Sequence, residues 1–75
     1  MQKDLKVHMT NLKRIREESG ISQAKLAEMS GTSPRMIPKY ETREKNINKA
    51  QAMTVFKIAK SLGVSVEDLL EEEEQ

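Results

Sequence analysis

The sequence predicts an all-α fold, a compact domain of five helices. Three observations support this prediction. Apolar residues recur three or four positions apart through most of the 75-residue chain, which is the period of a helix with one buried side. Serines precede several of these segments and glycines follow them, as expected at helix caps. Finally, two short helical segments between Gln23 and Glu41 are separated only by a tight turn.

The first three helices are predicted over about residues 10–19, 23–29 and 34–40. Gly20 is the expected stop of the first helix. Ser22 and Ser33 can cap the second and third, because each hydroxyl can accept a hydrogen bond from a free backbone N–H. Gly31 suits a left-handed helix end, and Pro34 suits the first helical turn, where its missing N–H does no harm.

The fourth helix is predicted over about residues 49–62, after a loop of about eight residues anchored by Ile47. Gly63 closes it, and Ser65 can cap a fifth helix. We assign the buried side of the fourth helix to Met53, Phe56, Ala59 and Leu62, which are spaced three apart. The predicted core is Leu12, Ile15, Leu26, Ile37, Tyr40, Met53, Phe56, Ala59 and Leu62.

The chain divides into three parts by composition. Residues 1–9 form an N-terminal arm that can be a half-buried strand or disordered, residues 10–70 form the helical domain, and residues 71–75 form an acidic tail expected to fray. All 13 Lys and Arg lie in residues 1–66 beside 6 acidic residues, a net charge of +7, whereas residues 67–75 carry −6. A basic body with an acidic tail suits a polyanion-binding surface.

The residue types exclude several functions. The sequence has no Cys, a single isolated His8 and no glycine-rich phosphate loop, so nothing can be assigned as nucleophile, general base or metal ligand. We therefore predict no enzyme activity, no cofactor, no metal and no small-molecule substrate. The apolar runs are too short to span a membrane, and no signal peptide opens the chain, so an intracellular, soluble domain is expected.

The stretch from Gln23 to Glu41 has the layout of a helix-turn-helix, whose second helix begins with polar and basic side chains. Arg35 and Lys39 are four apart and so project from one helical face. Arg35 can donate two parallel hydrogen bonds to guanine, or it can contact only phosphate or solvent. Pro38, about five residues into the predicted third helix, should bend it or loosen its first turn.

These residues carry a resemblance to a known family. LKRIREESGISQAKLAEMSGTSPRMIPKYE, followed by FKIAKSLGVSVEDLL, resembles the Cro/lambda-repressor (Xre-type) helix-turn-helix family over about residues 11–70. The resemblance rests on the SQ-x-x-LA segment, the glycine at 31, the I-x-x-YE end of the third helix and the KIAKSLGVS-x-x-DLL tail. It implies a lambda-repressor-like DNA-binding domain with its helix-turn-helix at the second and third helices.

The resemblance also implies roles for individual residues. The base-reading positions of the family fall on Pro34, Arg35 and Lys39. Relatives often have a hydrogen-bonding side chain at the first of these positions, so Pro34 departs from the family pattern and one possible base contact is lost. The positions that contact the DNA backbone fall on Gln23, Ser33, Arg43, Lys45 and Asn46, and Gln23 is also implied to brace the third helix. A partly buried ion pair between the first helix and the end of the third falls on Arg16 and Glu41.

The expected function is a cytoplasmic, sequence-specific, double-stranded DNA-binding transcription regulator, a repressor acting as a homodimer. The predicted dimer surface contains four apolar residues that otherwise only complete the monomer core: Val64, Val66, Leu69 and Leu70. The alternative is a protein-interaction module, such as an antitoxin or accessory subunit, with weak or secondary DNA binding and an acidic tail that docks on a basic partner.

Overall fold

The computed structural model describes residues 9–72, and the predicted arm lies almost entirely outside that range. This part of the chain contains five α-helices: α1 Asn11–Glu18, α2 Gln23–Ser30, α3 Met36–Glu41, α4 Ala52–Leu62 and α5 Val66–Leu69. A 3₁₀-helix, Ile47–Lys49, lies between α3 and α4. The predicted all-α architecture is confirmed.

The helices pack in a closed circuit around one core. α1 contacts α3 and α5, α5 contacts α4, α4 contacts α2, and α2 contacts α3. The interface between α2 and α4 is the most extensive. Each helix is thus held by two neighbours, which matters because helices this short are marginal in isolation.

Local capping sets the helix boundaries largely as predicted. The Ser22 hydroxyl accepts a hydrogen bond from the backbone N–H of Lys25 at 3.0 Å. Ser65 and Asp68 form a reciprocal capping box at the start of α5. Gly31 and Gly63 end α2 and α4 with φ of 69° and 71°, a left-handed conformation that glycine adopts at little cost.

The core consists of ten apolar side chains that are almost completely buried: Leu12, Leu26, Ala27, Ile37, Tyr40, Ile47, Val55, Ile58, Ala59 and Leu69. Five of them were predicted as core, and Ile15 and Leu62 pack against this cluster while remaining half-buried. The loop anchor Ile47 is buried as expected, with 3% of its surface exposed.

The predicted inner face of α4 is wrong at two positions. Met53 and Phe56 are 59% and 49% exposed, and Val55 and Ile58 occupy the core instead. At about 100° per residue, four residues spaced three apart spread over roughly 180° of a helix. Val55, Ile58, Ala59 and Leu62 spread over only about 100°, so they form a face that can be buried together.

The first residue of the predicted acidic tail is part of the folded domain. One Glu71 carboxylate oxygen accepts from the backbone N–H of Asn11 at 2.6 Å, and the other lies 3.2 Å from the guanidinium of Arg43. The Asn48 side chain pairs with the Glu71 backbone through two hydrogen bonds of 2.7 and 2.8 Å. The expected fraying therefore does not begin at Glu71, because the helix ends at Leu69 and the chain then lies against α1.

The revised face of α4 predicts contrasting stability effects. Ile58→Ala should lower the free energy of unfolding by about 2–5 kcal/mol, because it leaves a cavity in a closed core. Phe56→Ala should cost about 1 kcal/mol or less, because half of that ring is already in water. Urea denaturation of both variants measures the difference. Equal losses would contradict the assignment of Phe56 to the outer face.

Candidate nucleic-acid interface

The helix-turn-helix unit consists of α2, the turn of residues 31–35, and α3. Its turn is fixed by several hydrogen bonds. The backbone N–H of Thr32 donates to the carbonyl of Ala27 at 3.0 Å. The buried Ser30 hydroxyl donates to the carbonyl of Leu26 at 2.8 Å and lies 2.9 Å from the Thr32 hydroxyl. α3 therefore starts in a defined position relative to α2.

The start of α3 differs from the prediction. Pro34 and Arg35 form a turn in which Met36 N–H donates to the carbonyl of Ser33 at 3.0 Å, and the α-helix begins at Met36. The Ser33 hydroxyl accepts from Arg35 N–H at 3.3 Å, so it stabilises this turn. Pro38 is consequently only the third helical residue.

This boundary accommodates Pro38 without the loss of a helical hydrogen bond. The first N–H groups of a helix have no acceptor within the helix, so a proline there breaks no hydrogen bond. The loosened first turn, one of two predicted outcomes, is the one observed. Farther along, the carbonyl of Pro38 accepts normally from Thr42 N–H at 3.0 Å.

The three predicted base-reading residues lie in the turn before α3 and within α3 itself. Pro34 and Arg35 are exposed, and the Lys39 side chain is 38% exposed. Arg35 has helical backbone angles, φ −74° and ψ −24°, so it keeps the one-turn separation from Lys39 although it precedes the helix. The Lys39 ammonium lies 3.2 Å from the exposed Glu44 carboxylate, a pair that contributes little stability and separates easily.

The loop after α3 holds the predicted backbone-contact residues Arg43, Lys45 and Asn46. Arg43 adopts φ 66°, which is unusual for a residue with a side chain, and its guanidinium contacts Glu71. Lys45 is exposed, and its backbone N–H donates to the carbonyl of Lys39 at 3.0 Å, which ties the loop to α3. The Asn46 side chain caps the 3₁₀-helix by accepting from Asn48 N–H.

A network centred on Glu41 positions α3. The guanidinium of Arg16 donates to both Glu41 carboxylate oxygens, at 2.5 and 3.1 Å, and the Gln23 amide donates to one of them at 2.9 Å. Arg16 also donates to the carbonyl of Ile21 at 2.7 Å. The Glu41 side chain is 2% exposed and that of Arg16 11%. The pKa of Arg16 is raised, chiefly by its hydrogen bond to Glu41, although burial acts in the opposite direction.

This geometry agrees with the bracing role that the resemblance implies for Gln23 beside its predicted contact with the DNA backbone. Gln23 is the first residue of α2 and is half-buried. Its amide group is oriented by Glu41, and Glu41 is oriented by Arg16. The hydrogen bond between Gln23 and Glu41 therefore fixes the start of α2 relative to the end of α3.

The predicted dimer surface needs one correction. Leu69 is completely buried within the chain and completes its core, so it cannot contact a second copy. Val64, Val66 and Leu70 are half-buried and pack against the same core. The sequence pattern could not separate these two roles, because both require apolar residues near the end of a helix.

Sequence reasoning missed three residues that hold this region together. Thr10 is buried, and its hydroxyl donates to the backbone carbonyl of Glu41 at 3.4 Å. Asn48 and Glu71 connect the 3₁₀-helix to the segment that follows α5. No local motif marks such pairs, because their partners are 23 to 31 residues apart in the sequence.

Two further structural findings concern the described residues. No helix within residues 9–72 combines the length and apolarity needed to cross a membrane. The same part of the chain contains no group of three or more side chains suited to holding a metal ion.

The closed five-helix arrangement, the fixed turn between α2 and α3, and the exposed basic start of α3 define a helix-turn-helix domain of the kind found in DNA-binding transcription regulators. A helix-turn-helix family model matches residues 12–69, well over half of the chain. The chain belongs to this family, the Cro/C1-type helix-turn-helix proteins, which confirms the resemblance seen in the sequence.

A solved structure is similar to the whole domain. The N-terminal DNA-binding domain of the master biofilm regulator SinR from Bacillus subtilis, determined in solution, superposes with a TM-score of 0.65. The two sequences are 28% identical, and the similarity covers 89% of this chain and 97% of that one. No curated protein matches the chain in sequence.

The buried network predicts a large stability loss on removal of one partner. Arg16→Ala should lower the free energy of unfolding by about 3–5 kcal/mol, because it leaves the Glu41 carboxylate buried without its counter-ion. Arg14→Ala is a matched control in the same helix. Arg14 pairs with Glu18 on the surface at 3.6 Å, so its loss should cost less than about 1 kcal/mol.

Chemical denaturation of both variants tests this prediction. A double variant, Arg16→Met with Glu41→Leu, should be more stable than Arg16→Ala alone, because it leaves no buried charge without a counter-ion. A loss for Arg16→Ala as small as that for Arg14→Ala would show that the network does not support the fold.

Proposed function

We propose that this protein is a sequence-specific regulator of transcription that binds double-stranded DNA as a homodimer and represses nearby promoters. The observation that carries the proposal is the pair Arg35 and Lys39, which lie one helical turn apart, Arg35 exposed and Lys39 with 38% of its side chain exposed. The helix that carries Lys39, α3, is fixed at its end by the Glu41 network. The similarity to the SinR domain, which is described as DNA-binding, supports it. Because DNA is the partner, we place the protein in the cytoplasm.

In the proposed complex α3 lies in the major groove. Arg35 donates two hydrogen bonds to O6 and N7 of a guanine, a contact worth about 1–3 kcal/mol in discrimination. Lys39 reaches a neighbouring base edge one turn farther along and gives up its contact with Glu44. Pro34 has no side-chain donor or acceptor, so it can offer only apolar contact, for example to a thymine methyl group.

Five residues around α3 contact the sugar-phosphate backbone in this proposal: Gln23, Ser33, Arg43, Lys45 and Asn46. Ser33, Arg43, Lys45 and Asn46 are exposed. Arg35 and Lys45 have no ion-pair partner among residues 9–72, so their charges are available to DNA. Phosphate contacts add affinity and fix orientation, whereas base contacts supply sequence preference.

A homodimer would place two copies of α3 in successive major grooves, about 34–36 Å apart, on a near-palindromic site. The half-buried residues Val64, Val66 and Leu70 are the proposed contact between copies. A dimer is favoured because α3 is only six residues long, and one copy contacts few base pairs.

The assignment of roles predicts two different DNA-binding defects. Arg35→Ala should lower discrimination among operator variants by about 1–3 kcal/mol at one base position. Lys45→Ala should weaken binding about equally for all sequences. It should also lower the slope of log affinity against log salt concentration by about one. Competition shift assays at several salt concentrations measure both effects. Unchanged affinity and preference in Arg35→Ala would refute its role as a base reader.

The proposed dimer makes a prediction about the DNA itself. Selection of bound sites from random duplex DNA should return a near-palindrome with half-sites about one helical turn apart. Val66→Glu should reduce dimer formation in sedimentation and lower affinity for the full site more than for a half-site. Recovery of single, unpaired half-sites would argue against the dimer but not against DNA binding.

A further inference from the structure

The solvent-facing side of α4 carries an organised stripe of side chains that the proposed DNA interface does not use. Met53, Phe56, Lys57 and Lys60 are all exposed. Their spacing of three, four and seven residues places them within about 100° of one another on the helix. We call this set the α4 stripe. It lies on the side of α4 opposite the residues buried in the core.

The apolar members of the α4 stripe are unusually exposed for their size. Met53 and Phe56 are 59% and 49% exposed, the highest values among the large apolar side chains of the described residues. They lie one helical turn apart, so their exposed surfaces are neighbours rather than isolated. Adjacent exposed apolar groups with charged neighbours are typical of a surface that binds another protein.

The charge of the α4 stripe is of one sign. α4 contains no acidic residue, and neither Lys57 nor Lys60 has an ion-pair partner among residues 9–72. The Lys60 ammonium lies 5.9 Å from the centre of the Phe56 ring, a cation–π distance. The apolar and basic groups therefore form one continuous surface.

A surface groove of about 390 Å³ adjoins the α4 stripe. Met53 and Lys57 of α4 line it together with Ser33 and Met36 of the helix-turn-helix unit, so the groove adjoins the proposed DNA interface at Ser33. Two methionines thus face a groove with a lysine at its edge. Methionine side chains are flexible and polarisable, so they can adapt to an inserted apolar group.

We propose that the α4 stripe and its groove bind an acidic amphipathic segment of another protein. Apolar side chains of that segment would cover Phe56 and enter the groove beside Met53, and its carboxylates would pair with Lys57 and Lys60. A phosphate backbone would use the two lysines but would leave the phenyl ring and the methionine uncovered. A second copy docked symmetrically by this face would bring like charges together at the contact.

The test uses the full chain and two synthetic amphipathic peptides of about 20 residues, longer than the roughly 12–15 residues below which isolated helices are marginal in water, and follows the amide NMR signals of the protein. One peptide carries leucines along one face flanked by glutamates, and the other carries lysines in place of the glutamates. The acidic peptide should shift the signals of the α4 stripe and the groove, with an affinity that falls as salt rises. The basic peptide should bind at least about tenfold more weakly.

Three variants locate the contact. Phe56→Ser and the double variant Lys57→Glu with Lys60→Glu should each lower the affinity for the acidic peptide at least about tenfold. The double variant should gain affinity for the basic peptide. Met29→Ser is the matched control, because Met29 is 45% exposed on α2 and outside the α4 stripe. It should leave binding unchanged. Melting temperatures near that of the parent chain show that the variants fold.

Several results would overturn the proposal. One is failure of the acidic peptide to bind, and another is binding that Phe56→Ser leaves intact. A dimer that dissociates on Phe56→Ser would show that a second copy covers this face. If the lysine double variant lowered duplex affinity as strongly as Arg35→Ala does, and no peptide bound, the α4 stripe would be a phosphate-binding surface. Peptide binding is measured without DNA, so failure of the proposed DNA recognition would leave this result standing.

Discussion

The remaining structure depends on the hydrogen bonds that the buried Glu41 carboxylate accepts. This carboxylate is almost completely buried at the end of α3 and accepts hydrogen bonds from Arg16 of α1 and Gln23 of α2. Its backbone carbonyl also accepts from Thr10, the cap of α1. α3 has only six residues and could not persist alone in water. Two side chains from other helices, together with the residue that caps α1, therefore fix the end of this short helix.

This network orients α3 in addition to stabilising the fold. Burying an ion pair requires removing both charges from water, and apolar side chains of the same volume often stabilise a fold as well or better. A guanidinium fork, in contrast, meets a carboxylate in a defined plane with two parallel hydrogen bonds. Arg16 and Glu41 have that geometry, so the network sets the angle of α3 as well as its presence. The base-reading role proposed for α3 would require such control, because small rotations would displace its side chains from the base edges.

The features that the sequence predicts well are those determined by neighbouring residues. The caps at Ser22 and Ser65 and the helix ends at Gly31 and Gly63 depend on local backbone chemistry, and all four appear as expected. The buried face of α4 also follows from helical periodicity, but the side-chain types alone do not identify it. Met53 and Phe56 are as apolar as Val55 and Ile58, and only the narrower angular spread of Val55, Ile58, Ala59 and Leu62 marks the face that packs against α2 and α5.

The position of Glu71 shows how tertiary contacts change the meaning of a charge pattern. A run of glutamates indicates a solvated tail, yet the first of them binds the start of α1 and the guanidinium of Arg43. Arg43 lies in the loop proposed to contact phosphates, so a carboxylate already occupies the kind of site that a phosphate would use. The Arg43–Glu71 pair is partly exposed and therefore weak, whereas Glu71 keeps its hydrogen bonds to Asn11 and Asn48. In the proposed DNA complex a phosphate would replace Glu71 at the guanidinium, while Glu71 stays bound to Asn11 and Asn48.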